Sequence, residues 1–410
     1  MNGSESLNLD FRAGIREGPK ARLTRRELVR ACLAASAFRL VVLDEIAPLE
    51  AFQGENRSPF PGGKRLATLD FVNEPWVPLE APLGSELDGR LFTDLSDVTP
   101  EVSVTPTDKF YIRTRASRLL DDEKPWSIRL AGQVQQPLDL SLPRLERMAR
   151  ALGLHLMECA GNSREARFGM LSVADWSGVP LLEILDMVST KPQARRVLIS
   201  GFDRYAEESK SSIPGASWVF TWEQLASAKA FLATGMNGRP LPKDHGAPVR
   251  LVVPGWYGCA CIKWVNEITL ADDGVEATSQ MREYASRTDQ VGVPALARDY
   301  KPATIETSAI PIRVEKWLVR GKIKYWVVGI LWGGSQPVRA LEIRCNPLEE
   351  YVPVDSLKQN ATDPWTFWTY TWVPKKPDTY LIRLRVKDPS VPTKRMGSGY
   401  FVRSVEITEV

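Results

Sequence analysis

The sequence predicts an α+β region followed by an all-β region, and together the two account for most of the 410 residues. Over residues 101–298, strand-like and helix-like apolar spacings alternate without a glycine-rich phosphate loop. Over residues 299–410, short segments alternate polar residues with aromatic or β-branched residues, and turn residues separate the segments. The second pattern is typical of an antiparallel β-sandwich domain.

The mixed region contains local signals for both kinds of element. A helix is expected to begin near Ser141, with Pro143 in its first turn. Another is expected to begin with a capping box formed by Thr221 and Gln224 and to end at Gly235. A third helix is predicted from "VPLLEILDMV". Strands are predicted from the segments "FYIRTR", "WSIRLAG", "GLHLMEC", "ARRVLISGFD" and "PVRLVVPGWYG".

The C-terminal region has five or more period-two segments and no helical pattern. Among these segments are "VRALEIRC", "WTFWTYTWVP" and "TYLIRLRVKD". Short aromatic and β-branched strands at this spacing favour a sandwich of the immunoglobulin type. Residues 46–100 are instead rich in proline, glycine and acidic residues, so we expect an irregular N-terminal arm that lies over the surface.

Residues 1–45 have the features of an export signal. Thr24, Arg25 and Arg26 precede a modest apolar segment, which Arg39 interrupts. A basic region of this kind favours a twin-arginine signal and hence a periplasmic location. The alternative is a basic tail with a short amphipathic helix, in a cytoplasmic protein. No apolar run reaches the ~18 residues of a spanning helix, so no integral membrane segment is expected.

Composition restricts the chemistry. A net charge of +3 does not favour nucleic acid as a partner. The two histidines, His155 and His245, are too few for a three-histidine zinc site. The five cysteines form no CxxC pair, which argues against zinc ribbons and iron–sulfur clusters. An enzyme with this composition is expected to obtain its chemistry from a cofactor.

Cys159 lies between an apolar run and a turn in the segment "LHLMECAGNSR". From residue type alone it could pack in the core, form a disulfide, act as a nucleophile or bind a metal whose other ligands come from a cofactor. Arg113 and Arg164 follow predicted strands. Arginines are suited to bind oxyanions, so an anion pocket around the cysteine is plausible.

Longer motifs carry a resemblance to a known family. The segment "CAGN" with an arginine two residues later, and "MNGRPLPKDHGAPVRLVVPG" followed by Lys263 and Trp264, resemble the sulfite oxidase family of molybdopterin-dependent oxidoreductases. The similarity extends over roughly residues 100–410. It implies a sulfite-oxidase-type molybdopterin-binding catalytic domain over 101–298, followed by an immunoglobulin-like dimerisation domain over 299–410.

The resemblance also implies roles for individual residues. Cys159 would bind molybdenum, Arg113 and Arg164 would bind the substrate anion, and the Tyr284 hydroxyl would lie beside the metal. Arg395 would be an arginine supplied by the C-terminal domain. The residues implied to hold the molybdopterin are Tyr111, Ile112, Arg113, Thr114, Arg115, Asp203, His245, Arg250, Cys261, Ile262 and Lys263.

The implied function is molybdenum-dependent oxygen-atom transfer, with sulfite oxidised to sulfate. Electrons would pass to a separate acceptor such as a c-type cytochrome, since no haem is expected in this chain. A homodimer through the C-terminal domain is a further expectation. Ala260, and Thr114 followed by Arg115, depart from the family pattern, so sulfane sulfur, a sulfoxide or nitrate stays open as substrate. A non-catalytic β-rich binding protein is the alternative from another class, and molybdenum analysis distinguishes it.

Overall fold

The structure, a computed structural model, describes residues 59–202, 216–358 and 364–410. Ser58–Val410 forms one compact unit. The proposed export signal over residues 1–45 and the candidate cofactor ligand Asp203 lie outside the described residues.

Within the described residues, β-strands predominate and the α-helices are short. The first ten strands are β1 Lys64–Leu69, β2 Phe71–Val72, β3 Ser127–Gly132, β4 Leu138–Ser141, β5 Arg150–Glu158, β6 Leu171–Pro180, β7 Arg196–Gly201, β8 Ser217–Thr221, β9 Phe231–Met236 and β10 Arg239–Pro240. The next ten are β11 Arg250–Val252, β12 Val265–Ala271, β13 Ser308–Val319, β14 Lys322–Trp332, β15 Leu341–Arg344, β16 Val352–Pro353, β17 Ser356–Lys358, β18 Trp365–Trp372, β19 Asp378–Val386 and β20 Arg403–Ile407. The α-helices are α1 Leu142–Met148, α2 Leu181–Leu185, α3 Trp222–Ser227, α4 Ser279–Glu283 and α5 Lys394–Gly397.

The mixed region contains two five-stranded sheets. One has the order β4-β3-β12-β7-β8, in which β3 and β12 run parallel while the other neighbours are antiparallel. The other has the order β10-β9-β6-β5, with β11 also paired to β9. Its strand β5 ends at Glu158, immediately before Cys159, so this second sheet positions the candidate metal ligand.

The C-terminal region contributes two antiparallel five-stranded sheets. Their orders are β1-β13-β14-β18-β17 and β16-β15-β19-β20-β2. Strands β13 and β19 contact each other, so the two sheets are packed together. The predicted irregular arm is mostly loop, but its strands β1 and β2 complete one edge of each sheet, β1 beside β13 and β2 beside β20.

Some predicted elements are confirmed at their boundaries. Helix α1 follows Ser141 and has proline in its first turn. Helix α3 begins with the predicted capping box, in which the Thr221 hydroxyl accepts from Gln224 N at 3.0 Å and Thr221 N donates to Gln224 Oε1 at 2.8 Å. Its predicted end at Gly235 is wrong. The helix stops at Ser227, Lys229 adopts a left-handed φ of 52°, and the chain continues as strand β9.

The predicted strand "FYIRTR" is also wrong. This segment makes only a single bridge, between Leu91 and Ile112. The three consecutive side chains of Phe110, Tyr111 and Ile112 are all buried, whereas a strand with one exposed face would alternate. Tyr111 N donates to the hydroxyl of Ser172 at 3.1 Å, which replaces a sheet partner. The segment is therefore an extended loop along the surface of the second sheet.

The hydrophobic core is continuous from the mixed region to the C-terminal sheets. Six tryptophans in the described residues have almost fully buried side chains: Trp176, Trp218, Trp264, Trp332, Trp365 and Trp368. Their burial explains why the tryptophan-rich segments fold as strands rather than as exposed loops. Among the described residues, no helix has the length and apolar character needed to cross a membrane.

Candidate active site

A cavity of about 890 Å³ opens beside Cys159. Ten residues that the sequence or the family resemblance singled out line this cavity, and they come from five separate segments of the chain, at 111–114, 159, 250–263, 284 and 395. They are Tyr111, Arg113, Thr114, Cys159, Arg250, Cys261, Ile262, Lys263, Tyr284 and Arg395. The fold therefore brings most of the predicted site together.

Cys159 is held in a tight turn directly after β5. Its N–H donates to Met170 O at 3.0 Å, and its carbonyl accepts from Asn162 N at 2.9 Å. The thiol accepts from Gly161 N at 3.4 Å. Burial raises the pKa of the Cys159 thiol, while the Arg113 guanidinium and the Gly161 N–H oppose that rise. A bound cation would stabilise the thiolate further, as it does for any coordinating thiol.

The other interpretations of Cys159 receive less support from the geometry. The four described cysteines are all free, so Cys159 has no disulfide partner among them. His155 is not at the cavity, and its ring nitrogen Nε2 is 3.1 Å from Leu152 O, so it is not placed to activate the thiol. Within the described residues, no three His, Cys, Asp or Glu side chains group around a metal position. A metal at Cys159 would therefore need ligands from a cofactor.

Arginines surround the cavity. Arg113 and Arg395 each have a buried Nη1 atom without a hydrogen-bond partner. Arg90 and Arg287 also line the cavity, although the sequence analysis did not select them. The pKa of Arg90 is lowered, first by burial and then by the neighbouring charge of Arg113. With Arg250, five guanidinium groups line this one cavity and create a site for an anion.

Four predicted site residues do not line the cavity. Arg164, predicted to bind the substrate anion, instead donates from Nη2 to Val402 O at 2.8 Å. Arg115 is paired with Asp244 at 3.1 Å, so it adds no cation to the cavity. The other two are Ile112, which is buried in the bridge to Leu91, and His245. Ala260, where the chain departs from the family pattern, is fully buried in the short turn Gly258–Ala260.

His245 lies behind the cavity wall and supports it. Its Nε2 is 2.9 Å from Thr107 O, and because a carbonyl only accepts, this nitrogen carries the proton. Its own carbonyl accepts from Arg250 Nη1 at 2.9 Å. Burial, with the charges of Lys263 and Arg250, lowers the pKa of His245 to about 3. The ring is therefore neutral at physiological pH.

Lys263 and Arg250 connect this support to the cavity. The Lys263 ammonium donates to Thr114 O at 2.6 Å and to Asp244 O at 2.5 Å. Arg250 Nη2 donates to Cys261 O at 3.2 Å, while its buried Nε has no partner. Carbonyl acceptors fix both cations in place, and the buried Arg250 Nε without a partner favours a bound anionic group.

Tyr284 follows helix α4 and faces the same cavity. Burial, followed by the nearby Cys159, raises the pKa of its hydroxyl to about 12. The Arg287 guanidinium lies 5.3 Å from the Tyr284 ring centroid. The side chain of Gln280 donates to Cys259 O and so fastens α4 to the turn beside the cavity. Gln280 and Cys259 also line the cavity, although no motif pointed to them as site residues.

The donor set fits a molybdopterin. Arg113 Nη1, Arg250 Nε and Arg395 Nη1 are buried donors without acceptors, and all three residues line one cavity. A cofactor rich in phosphate and carbonyl oxygens would supply the missing acceptors. Gly258 adds a steric requirement, because a Cβ there would lie 2.7 Å from the Tyr111 hydroxyl. Of the three cysteines that line the cavity, Cys159 would provide the one protein ligand that a metal already bound to cofactor sulfurs needs.

Comparison with known proteins agrees with this site. Residues 116–279 match the family described as the oxidoreductase molybdopterin binding domain. The plant sulfite oxidase of Arabidopsis thaliana is 29% identical over 201 residues, which are 44% of this chain and 51% of that protein. The human mitochondrial sulfite oxidase is 25% identical over 329 residues, which are 75% of this chain and 58% of that protein.

Two further similar proteins are named for activities other than sulfite oxidation. The NADPH nitrate reductase of Fusarium oxysporum is 31% identical over 195 residues, 44% of this chain and 21% of that protein. The sulfane dehydrogenase SoxCD of Paracoccus pantotrophus has a solved structure that matches with a TM-score of 0.60 and 20% identity, covering 90% of this chain and 98% of that chain. This chain thus spans about half or less of the length of most of the curated relatives it matches.

The fold and the cavity define a molybdopterin-binding oxidoreductase. Within that class, the chain is similar to the sulfite oxidase family of molybdopterin-dependent oxidoreductases. The expected cofactor, molybdenum–molybdopterin, is confirmed at the level of the family. The expected α+β fold is confirmed as a mostly β structure with some helices.

Proposed function

We propose that this oxidoreductase transfers an oxygen atom to sulfite, giving sulfate, and passes the electrons to a separate acceptor such as a c-type cytochrome. The observation that carries the proposal is the arginine lining of the Cys159 cavity. Arg90, Arg113, Arg287 and Arg395 provide a positive surface that matches a small oxyanion in size and charge. The sulfite oxidases among the relatives agree with this choice of substrate.

Different residues of the chain would bind the cofactor and the substrate. Cys159 would hold the metal, and Arg250 and Lys263 would hold the anionic end of the pterin. The bound cofactor supplies two-electron redox chemistry at molybdenum. Arg113 and Arg90 bind and orient the substrate oxygens through charge-assisted hydrogen bonds. The Tyr284 hydroxyl, with its pKa raised to about 12, stays protonated at neutral pH and donates a hydrogen bond in the cavity.

The substrate is tested with purified, molybdenum-loaded protein. Sulfite-dependent reduction of cytochrome c is compared with nitrate- and sulfoxide-dependent oxidation of a reduced dye, at equal molybdenum content. The proposal predicts turnover with sulfite and none with the reducible substrates. Turnover with nitrate or a sulfoxide alone would replace sulfite as the substrate.

A sulfane sulfur compound is the second candidate. The structural match to a sulfane dehydrogenase covers nearly the whole of that chain. Cytochrome reduction with a sulfane sulfur compound but not with sulfite would favour this candidate.

We also propose that residues 1–45 direct export to the periplasm, as a twin-arginine signal. The C-terminal sheets are proposed to form an immunoglobulin-like sandwich that pairs with a second copy. Cell fractionation with an Arg25→Lys, Arg26→Lys variant tests export, since that variant should stay in the cytoplasm. Sedimentation of the purified protein tests pairing, and a monomer at micromolar concentration would exclude it.

A further inference from the structure

The turn that carries Cys159 is held from two opposite sides. On its own side, Cys159 N donates to Met170 O, and Met170 N donates to Asn162 Oδ1 at 3.1 Å. These contacts fix the turn against the beginning of β6. They do not reach Glu158, the last residue of β5, which directly precedes the thiol.

The C-terminal region holds the other side of the turn. Trp332 Nε1 donates to Glu158 Oε2 at 2.8 Å, across 174 positions of sequence. The Tyr400 hydroxyl donates to Asn162 O at 2.7 Å, across 238 positions. The side chains of Glu158 and Asn162 are themselves fully buried and linked at 3.4 Å, from Asn162 Nδ2 to Glu158 Oε1.

We propose that Trp332 and Tyr400 are positioning residues for the molybdenum ligand: from the C-terminal region, they fix the two ends of the turn and thereby the direction of the Cys159 thiol. The inference rests on the proposed role of Cys159 as the metal ligand. It adds that these two donors from the all-β region, alongside Arg395 Nη2, which donates to Ala160 O at 3.0 Å, determine the geometry of that ligand.

Burial makes these two hydrogen bonds consequential. A buried carboxylate or carbonyl that loses its donor moves toward another one, because an unsatisfied buried acceptor is unfavourable. Glu158 is adjacent to Cys159, so any movement of its side chain or backbone turns the thiol. Partners of a metal ligand typically change metal affinity or activity by about 10–100-fold when removed.

Tyr400→Phe removes only the hydroxyl, while Trp332→Phe removes the indole N–H together with part of the buried ring. Each has a matched control in the C-terminal sheets. Trp368→Phe removes an equally buried indole N–H, which donates to Ile330 O at 3.2 Å. Tyr325→Phe removes a hydroxyl that donates to Glu409 O at 2.6 Å. Neither control residue contacts the Cys159 turn by a hydrogen bond.

The measurement is made on molybdenum-loaded, full-length protein. The visible absorption due to charge transfer from thiolate to molybdenum is recorded per molybdenum, together with the rate of molybdenum loss on dialysis. Both donor variants should shift or weaken the band and lose molybdenum roughly 10-fold faster than the wild type. The two controls should match the wild type in both measurements.

The variant Cys159→Ser distinguishes a failure of the metal-ligand assignment from a failure of the positioning role. A thiolate band that persists in Cys159→Ser would overturn the ligand assignment itself. A band that disappears in Cys159→Ser but is unchanged in both donor variants, with unchanged molybdenum loss, would overturn only the positioning role. Equal changes in the donor variants and their controls would also overturn it, since the effect would then be general loosening of the sheets.

Discussion

The Cys159 thiol is subject to opposing influences that its neighbours set. Burial disfavours the thiolate, whereas the Arg113 guanidinium and the Gly161 N–H favour it. Without a metal, burial is the largest of these influences and the pKa of the thiol is raised. The thiol is thus protected from deprotonation until a cation binds, which suits a ligand better than a nucleophile.

Replacing the sulfur tests this directly. We expect Cys159→Ser to keep the fold and the pterin while turnover falls almost to zero, because a hydroxyl is a far poorer ligand for molybdenum than a thiolate. Circular dichroism, pterin content and steady-state turnover are the measurements. Turnover comparable with the wild type would contradict the assignment of Cys159.

The sequence pointed to only some of the arginines that line the cavity. Arg113 follows a motif, but Arg90 belongs to an arm without a recognisable pattern, and only the fold brings it to the cavity. Arg164 shows the reverse. Its position in the sequence was suggestive, yet its side chain turns to a backbone carbonyl, since a motif does not determine a rotamer.

Arg113→Gln and Arg90→Gln should each raise KM for the anion by roughly 10-fold, the effect of one charge-assisted hydrogen bond. The control Arg129→Gln removes an exposed arginine on β3 and should leave KM unchanged. Steady-state kinetics at constant ionic strength measures all three. A KM for Arg90→Gln equal to that of the control would remove Arg90 from the substrate site.

At the scale of elements, the sequence correctly predicted those strands and helix caps that depend on interactions between nearby residues. The period-two segments of the C-terminal region became strands, and the Thr221 capping box formed as expected. The predicted helix end at Gly235 is wrong because the segment "FLATGM" forms a strand. Its residues are compatible with a helix, but the segment lies between β6 and β11, where burial in the sheet outweighs helix propensity. Tertiary packing of this kind is not visible in a single sequence.

The capping box provides a prediction of stability. Thr221→Ala removes the acceptor for Gln224 N and should lower the free energy of unfolding by about 1 kcal/mol. Ser141→Ala is the control, because Ser141 precedes α1 but makes no side-chain capping hydrogen bond. Chemical denaturation measures both variants. Equal losses would show that the capping hydrogen bond is not the cause.

The turn at His245 makes stability depend on pH. Its pKa is about 3 in the folded protein against 6.5 for the ordinary side chain. Above pH 6.5 the His245 side chain is neutral in both the folded and the unfolded protein, so it does not lower the free energy of unfolding. As the pH falls from 6.5 toward 3, the unfolded chain takes up a proton that the folded chain does not, so stability decreases, by roughly 1 kcal/mol at pH 5.5.

His245→Gln should therefore reduce the loss of stability between pH 7.5 and 5.5. The glutamine amide can still donate to Thr107 O, so the support of the cavity wall is retained. His155→Gln is the comparison, since burial also lowers the pKa of His155. Denaturation at the two pH values is the measurement, and an unchanged pH dependence in His245→Gln would contradict the argument.

At the scale of the whole molecule, a buried ion pair joins the N-terminal arm to the last strand. Arg403 on β20 donates from Nε and Nη2 to the two carboxylate oxygens of Glu74, each at 2.7 Å. Its Nη1 donates to Pro311 O at 3.0 Å, and the guanidinium lies 3.5 Å from the ring centroid of Phe71. Both charged side chains are almost completely buried.

Glu74→Ala leaves this guanidinium buried without its carboxylate and should lower the free energy of unfolding by about 3–5 kcal/mol. Glu183→Ala is the control. It breaks the exposed pair with Arg150 and should have little effect. Thermal and chemical unfolding distinguish the two variants. A small loss in Glu74→Ala would mean that water reaches and solvates Arg403.

The strands β1 and β2 have a consequence for the order of folding. Glu74 and Arg403 lie 329 positions apart, and β2 has its only sheet neighbour in the described chain in β20. During synthesis, β2 therefore has no sheet partner in the described chain until β20 has been made, whereas β1 can pair earlier with β13. The loop that this pairing closes is among the longest the chain can make, so its entropic cost falls on the final step. A chain shortened before Arg403 would leave an early strand and a buried carboxylate without partners, and so would be a target for quality control rather than a slightly smaller enzyme.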